Sequence, residues 1–262
     1  MRLIRKTGAA VLAIAFAHAC AGTPPPALEA TAPAGAADYG ALVDTPDRPD
    51  ADILADANRK TAAVLALFAP QPGDPVLEIE AGAGYYTELL SRAVGPAGKV
   101  YMQNPAGFDA FLGDAVSKRL DGRLTNVTYL KSNFDAFAVP DASLDIATWF
   151  QGPHEIWYTP EGVTAPLGNP DTAFRDIARA LKSGGQFVVI DHVAPAGSPA
   201  TTGGDTHRID PAHIVAMAEA AGLTLETSSD LLRNPDDDGL TNVFDPAIRG
   251  KTDQAILIFR KP

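Results

Sequence analysis

Two groups of residues have the types and spacing to do chemistry. The first is Glu78-Ile79-Glu80-Ala81-Gly82-Ala83-Gly84-Tyr85, where an apolar strand runs straight into a glycine turn that must open a helix. Gly82 and Gly84 can take backbone angles closed to other residues and let a ligand approach the main chain. The helix N-terminus that follows offers free N–H donors, so the segment has a geometry for cradling a nucleotide. The second group is His154, Asp191, His192 and His207, with Asp205 and Arg208 beside it; four of the five histidines fall after residue 150. Neutral imidazole near pH 7 accepts a proton from a hydroxyl, an amine or a carbon acid, which makes these residues a candidate general-base cluster. Ordinary hydrogen-bonded loop structure is the plainer reading of the same residues. Asp191, His192, His207 and His213 are also metal-ligand types, but their spacing matches no zinc or iron pattern, and no metal is expected. Asp236-Asp237-Asp238-Gly239 lacks the alternation of a calcium loop and reads as a solvated turn.

The elements that must position these groups alternate between helix and strand. Apolar residues from Asp52 to Phe68 recur at helical spacing up to Pro70 and Pro72. A strand at Val76–Glu80, a helix at Thr87–Val94 and a strand at Lys99–Met102 follow. A helix around Phe108–Leu120 and strands at Val127–Leu130 and Leu144–Phe150 continue the pattern. Asn169 caps a helix over Asp171–Leu181 with Pro170 at its first position, and Gly184-Gly185 is its stop. The strand Gln186–His192 follows, and Asp210-Pro211 repeats the cap for a helix to Ala221. Two late β segments lie at Leu223–Thr227 and Ala255–Arg260. This is an α/β, doubly wound sheet, whose ligands meet the protein outside the carboxyl ends of the strands. That rule brings His154, Asp191, His192 and His207 together. Trp149 and Phe150 read as core, whereas Trp157 and Tyr158 lie in a Pro- and Gly-rich segment, 151–169, placed to act as a lid. With Tyr85 and Tyr86, these aromatics could line an apolar cavity.

The amino-terminal residues carry a different message. Arg2, Arg5 and Lys6 precede an apolar run from Gly8 to Ala17, and small residues lead to Cys20, the only cysteine. This is the pattern of a signal peptide over 1–20. Two processing outcomes stay open: lipidation at Cys20, or ordinary cleavage nearby. Either sends the mature chain out of the cytoplasm, to the periplasm or cell envelope, with Cys20 the only membrane anchor. Residues 21–45 are rich in Ala and Pro and read as a disordered tether, which leaves 46–262 for one domain. Loss of Arg2, Arg5 and Lys6 takes 21 basic residues to 18 against 32 acidic ones, a formal charge of −14. Such a balance excludes nucleic acid as a natural partner and points to a small-molecule substrate; oligomeric state is not legible.

Four segments together resemble the class I S-adenosylmethionine-dependent methyltransferases, over nearly everything from about residue 50 onward. They are the glycine turn, Gly98-Lys99-Val100-Tyr101, Asn126–Leu144, and Phe174–Asp191 with its Ile-Ala-Arg-Ala-Leu-Lys-Ser-Gly-Gly run. Asp191-His192 and His207-Arg208-Ile209-Asp210 are similar to a group of exported bacterial methyltransferase-like proteins. The resemblance implies a Rossmann-like sheet of seven strands, mostly parallel with the last antiparallel, and S-adenosylmethionine as cofactor. It implies cofactor contacts from Glu78, Glu80, Ala81, Gly82, Ala83, Gly84, Tyr85, Asn104, Asn133 and Phe134. Methyl transfer to a small molecule by in-line displacement would follow, with His154, Asp191, His192 and His207 at the substrate. Three positions depart from the family pattern. Glu80 replaces the first glycine, Asn104 the acid that accepts both ribose hydroxyls, and Asn133 an Asp that accepts from the adenine amine. An amide has one acceptor oxygen where a carboxylate has two. The departures keep two other readings open: an exported, non-catalytic small-ligand-binding protein, and a fold reused for metal-assisted chemistry at the histidines.

Overall fold

The computed structural model describes residues 38–262 apart from Val163. The signal-peptide and most of the tether expectation, with Cys20, lie outside the described residues. Three helices come first: α1 (Tyr39–Val43), α2 (Asp50–Arg59) and α3 (Thr61–Phe68). Then β1 (Pro75–Ile79), α4 (Tyr85–Val94), β2 (Lys99–Asn104), α5 (Asp109–Leu112), α6 (Ala115–Leu120), β3 (Val127–Lys131) and β4 (Leu144–Phe150) build one half of the sheet. The other half is α7 (Pro170–Ala180), β5 (Leu181–His192), α8 (Gly203–Thr206), α9 (Pro211–Ala220), β6 (Thr224–Ser229) and β7 (Gln254–Arg260).

One seven-stranded sheet results, in the order β3-β2-β1-β4-β5-β7-β6. All neighbours are parallel except β7, which runs antiparallel to β5 and to β6. Successive residues of a strand face opposite sides of the sheet, and both sides are covered. Leu77, Ile79 and Trp149 join Phe174, Phe187 and Phe259 in one core layer. Val76, Ile146 and Phe150 join Val64, Leu65, Leu89 and Leu90 in the other. Strand order reverses between β1 and β4, so the carboxyl ends of these two strands border the crevice where an open α/β sheet binds its ligands.

Several boundaries differ from the sequence expectations, each for a local reason. The helix expected over Asp52–Phe68 is broken at Lys60, which takes a left-handed conformation (φ 46°). The one expected over Phe108–Leu120 is interrupted at Gly113 (φ 52°). Gly184-Gly185 does not stop α7, because β5 begins directly at Leu181, paired with Leu144 across an irregularity in register. Residues 39–45, read as the end of the tether, belong to the packed domain. Tyr39 is buried and its hydroxyl donates to the Pro70 carbonyl at 3.0 Å. The acidic run is not solvated throughout, since the side chain of Asp237 is fully buried in a bidentate pair with Arg208 at 2.8 and 2.9 Å.

Candidate functional site

The glycine turn between β1 and α4 is built from both sides. Glu80 sits at φ 56°, the left-handed conformation a glycine supplies without strain, and Gly82 and Gly84 follow at φ 57° and 85°. For a residue with a side chain this costs on the order of 1–2 kcal/mol. Gln103 and Asn104, at the end of β2, hold the turn through its main chain. The Glu80 N–H donates to Gln103 Oε1 at 3.0 Å, and Asn104 accepts from Gly82 N–H at 2.8 Å while donating to Gly82 O at 2.9 Å. Arg119 donates to the Ala83 carbonyl at 3.0 Å, and a Cβ on Gly84 would press within 3.0 Å of its Cγ and 3.2 Å of Met102 Cε. Over Gly82, by contrast, a Cβ would meet nothing within 4 Å. The turn is thus rigid on its inner side and open at Gly82.

Four of the residues expected at the cofactor have side chains engaged within the fold. Asn104 is fully buried with both ends of its amide on the Gly82 peptide, so its side chain braces the turn. Phe134 is fully buried against Trp149, with ring centroids 5.0 Å apart, and is core. The Tyr85 hydroxyl bonds to Asp56 and Thr61, and the Arg59 guanidinium lies 4.3 Å from its ring centroid. Glu78 is buried and accepts from the Thr87 hydroxyl, tying β1 to α4. Asn133 remains exposed and, with Asp135, Ile156, Trp157 and Pro166, lines an open cleft of about 420 Å³. Asp135 also accepts from Asn169 N–H at 2.8 Å.

Burial pushes the Glu78 carboxyl up to about 8, against a smaller opposing effect of Thr87 and Arg119. The folded protein therefore holds a proton there that the unfolded chain has lost above its ordinary value of 4.5. Stability falls as pH rises from about 4.5 to about 8, by at most about 1.4 kcal/mol per unit for one group, and levels off above. Glu78→Gln, which keeps an acceptor for Thr87, is expected to flatten that slope in urea unfolding at pH 5, 6.5 and 8. An unchanged slope would contradict a protonated Glu78.

The histidine cluster assembles beyond β4 and β5. His154 and Glu155 lie in a short 3₁₀ turn (Pro153–Trp157) directly after β4, Asp191 and His192 end β5, and His207 follows α8. His154 Nδ1 pairs with Asp191 Oδ1 at 2.6 Å, and Asp191 Oδ2 accepts from the His154 main-chain N–H at 2.9 Å. His154 Nε2 and His207 Nδ1 both meet Glu155 Oε1, at 3.2 and 2.6 Å. Burial alone would lower His154, but Asp191 and Glu155 outweigh it and raise the ring to about 10. Burial would likewise raise Glu155, yet the two imidazoles hold it down at about 2. The expectation of His154 as a general base is therefore corrected: between two carboxylates it keeps its proton at neutral pH. His192 is the opposite case. Burial and the positive charge of His154 and Arg208 push it well below its usual value. Its Nδ1 pairs with Thr252 Oγ1 at 2.7 Å, and its side chain lines a cleft of about 310 Å³ with Arg59, Gln151, Phe244, Arg249 and Gln254. His213 stands apart, bonded through Nε2 to the Ser198 carbonyl at 2.8 Å.

Sequence reasoning missed Glu155, Gln103 and Thr252. The legible signal for Glu155 was an acid beside a histidine in the otherwise apolar Pro153-His154-Glu155-Ile156-Trp157 run. The two groups are linked electrostatically through Glu80. Its carboxylate accepts from Trp149 Nε1 at 2.9 Å and abuts Gly152, where a Cβ would come within 2.2 Å of it. Burial, then the neighbouring Glu155, raise Glu80 well above the usual carboxylate range.

A profile of the ubiE/COQ5 methyltransferase family matches residues 56–201. The chain belongs to this family. It is 32% identical over 132 residues to the ubiquinone/menaquinone biosynthesis C-methyltransferase UbiE of Shewanella frigidimarina, covering 50% of this chain and 47% of that protein. Against the UbiE of Pasteurella multocida the figures are 30% over 127 residues, 48% and 43%. The chain thus spans about half the length of the curated relatives it matches. Two solved structures share its fold. One is a SAM-dependent methyltransferase from Aquifex aeolicus, with a TM-score of 0.55 and 20% identity over 85% of this chain and 98% of that one. The other is geranyl diphosphate methyltransferase in complex with SAM, with a TM-score of 0.57 and 15% identity over 87% and 96%.

S-adenosylmethionine is accordingly the cofactor of this family member. The Glu80 carboxylate, bonded to Trp149 Nε1 and packed on Gly152, has its ionisation opposed by burial and by Glu155, so a cation brought beside it would be stabilised.

Proposed function

We propose that this chain transfers a methyl group from S-adenosylmethionine to a small molecule held in the cleft between Arg59 and Phe244, with His192 as general base. The observation that carries this reading is the position of His192. Among the four histidines and acids expected at the substrate, it is the neutral one beside an open cleft, with Nδ1 held by Thr252 and Nε2 left for a ligand. When bound, S-adenosylmethionine supplies an electrophilic methyl group. His192 Nε2 receives the acceptor's proton, and Thr252 fixes the ring while it does so. Arg59 and Arg249 favour an acceptor with anionic character, and Val243 and Phe244 give it an apolar wall. The UbiE relatives are named for C-methylation in quinone biosynthesis. That reaction class is carried over here and the acceptor is not, because the family match ends at residue 201 and five of the cleft residues lie beyond it. Met1–Cys20 supports placing the reaction in the cell envelope.

The test is release of S-adenosylhomocysteine from S-adenosylmethionine in the presence of a panel of phenolic, enolic and carboxylate acceptors. Acceptor-dependent release supports the reading, and cofactor binding without release for any acceptor class opposes it. Gly82→Val separates cofactor from acceptor. A branched side chain over the one open face of the turn is expected to weaken S-adenosylmethionine binding about tenfold or more, a loss of about 1.4 kcal/mol. Unchanged affinity in a folded variant would remove the turn from the site.

A further inference from the structure

We propose that His154 Nε2, the Glu155 carboxylate and His207 Nδ1 form a binding site for one divalent transition-metal ion, with Asp191 as its positioning residue. Among the described residues these three offer ligand atoms that all lie within 4.8 Å of one another, and all three side chains are buried. Two imidazoles and one carboxylate are a ligand set for zinc or non-haem iron. A tetrahedral ion with bonds of about 2.0–2.1 Å sets its ligand atoms roughly 3.3 Å apart, and His154 Nε2 already stands 3.2 Å from Glu155 Oε1. The second carboxylate oxygen, Glu155 Oε2, is buried with no hydrogen-bond partner. An unsatisfied buried acceptor costs about 1–3 kcal/mol or more when charged, and coordination to an ion removes that cost.

The surroundings are those of a ligand set held in place. Asp191 Oδ1 on His154 Nδ1, at 2.6 Å, leaves Nε2 as the ligand atom, which is how a carboxylate outside the coordination sphere orients a metal-bound histidine. Asp191 is fixed in turn by the His154 and His192 main-chain N–H groups at 2.9 and 2.8 Å. His207 is carried onto Glu155 by two glycines. A Cβ on Gly203 would lie 2.4 Å from the His154 carbonyl, and one on Gly204 2.6 Å from the Trp157 carbonyl, so α8 sits flush against the 3₁₀ turn. His207 itself holds a left-handed backbone (φ 56°), and the next residue is anchored by the buried Arg208–Asp237 pair. Coordination replaces the hydrogen bonds that now join the two rings to Glu155. Three protein ligands leave one position of a tetrahedral ion for water or a substrate oxygen.

The experiment is titration of the purified full chain, stripped with chelator, with Co²⁺ and Zn²⁺, read by metal content after gel filtration and by the visible d–d absorption of low-coordinate cobalt. One ion per chain is expected. Affinity should fall about tenfold or more in Glu155→Gln and in His207→Ala, fall in Asp191→Asn by about 10- to 100-fold, and stay unchanged in His213→Ala. Glu155→Gln keeps the shape of the side chain, so it reports on coordination even if His207→Ala unfolds. No bound ion in the folded wild-type chain, or equal binding in wild type and Glu155→Gln, overturns the proposal. S-adenosylmethionine binding is read on the same samples, so a missing metal site and a missing cofactor site remain distinguishable.

Discussion

Arg208→Met is expected to lower the unfolding free energy by about 3–5 kcal/mol, the loss typical of breaking a buried ion pair from one side. Both members of this pair have fully buried side chains. The guanidinium also donates to the Thr241 and Val193 carbonyls at 2.7 and 3.0 Å, so its removal leaves one carboxylate and two carbonyls without their donor. Asp237 keeps main-chain donors from Asp253 and Gly239, which places the loss toward the lower figure. For a domain of this size the midpoint of thermal unfolding should drop on the order of 10 °C. Arg208→Met combined with Asp237→Leu should recover much of the loss, because an apolar replacement of the whole pair leaves no unpaired charge. Urea unfolding of the three variants checks this. A single variant within about 1 kcal/mol of wild type would mean that the pair does not hold the segment carrying His207.

The second large effect is catalytic. His192→Ala should lower the rate of S-adenosylhomocysteine formation with an active acceptor by about 10²- to 10⁴-fold, the usual contribution of a positioned general base. Affinity for S-adenosylmethionine should change by less than about twofold, because His192 lines the cleft with Arg59 and Phe244 and not the turn at Gly82. Thr252→Val should give a smaller loss of the same kind, since it frees the ring without removing the base. A His192→Ala chain with wild-type turnover would assign the proton transfer elsewhere or to solvent.

The sheet was legible because its signals are local. Asn169 with Pro170 and Asp210 with Pro211 do cap α7 and α9, accepting from Thr172 and Ala212 N–H at 3.1 and 2.9 Å. The run Val76–Ile79 is buried on both faces as a parallel strand must be. The breaks at Lys60 and Gly113 were not legible, because helical spacing of apolar residues continues across both. Gly184-Gly185 misled for a related reason: the strand pairing of Leu181 with Leu144 overrides a local stop signal. Within the candidate site, the convergence of His154, Asp191, His192 and His207 followed from topology alone. Their protonation did not, because Asp191 reaches His154 across 37 residues of sequence, and that contact, with Glu155, makes His154 a cation whose charge helps keep His192 neutral. Asn104 and Phe134 were expected at the cofactor from their place in a motif. Burial and hydrogen bonding turn both to structural use, as a sequence position cannot reveal which way a side chain is engaged.

Isothermal titration of the purified chain with S-adenosylmethionine and S-adenosylhomocysteine tests the central claim most directly. The account predicts micromolar binding of S-adenosylmethionine, about −8 kcal/mol, weakened about tenfold in Gly82→Val and in Glu80→Gln. Absence of detectable binding in a folded wild-type sample would contradict it.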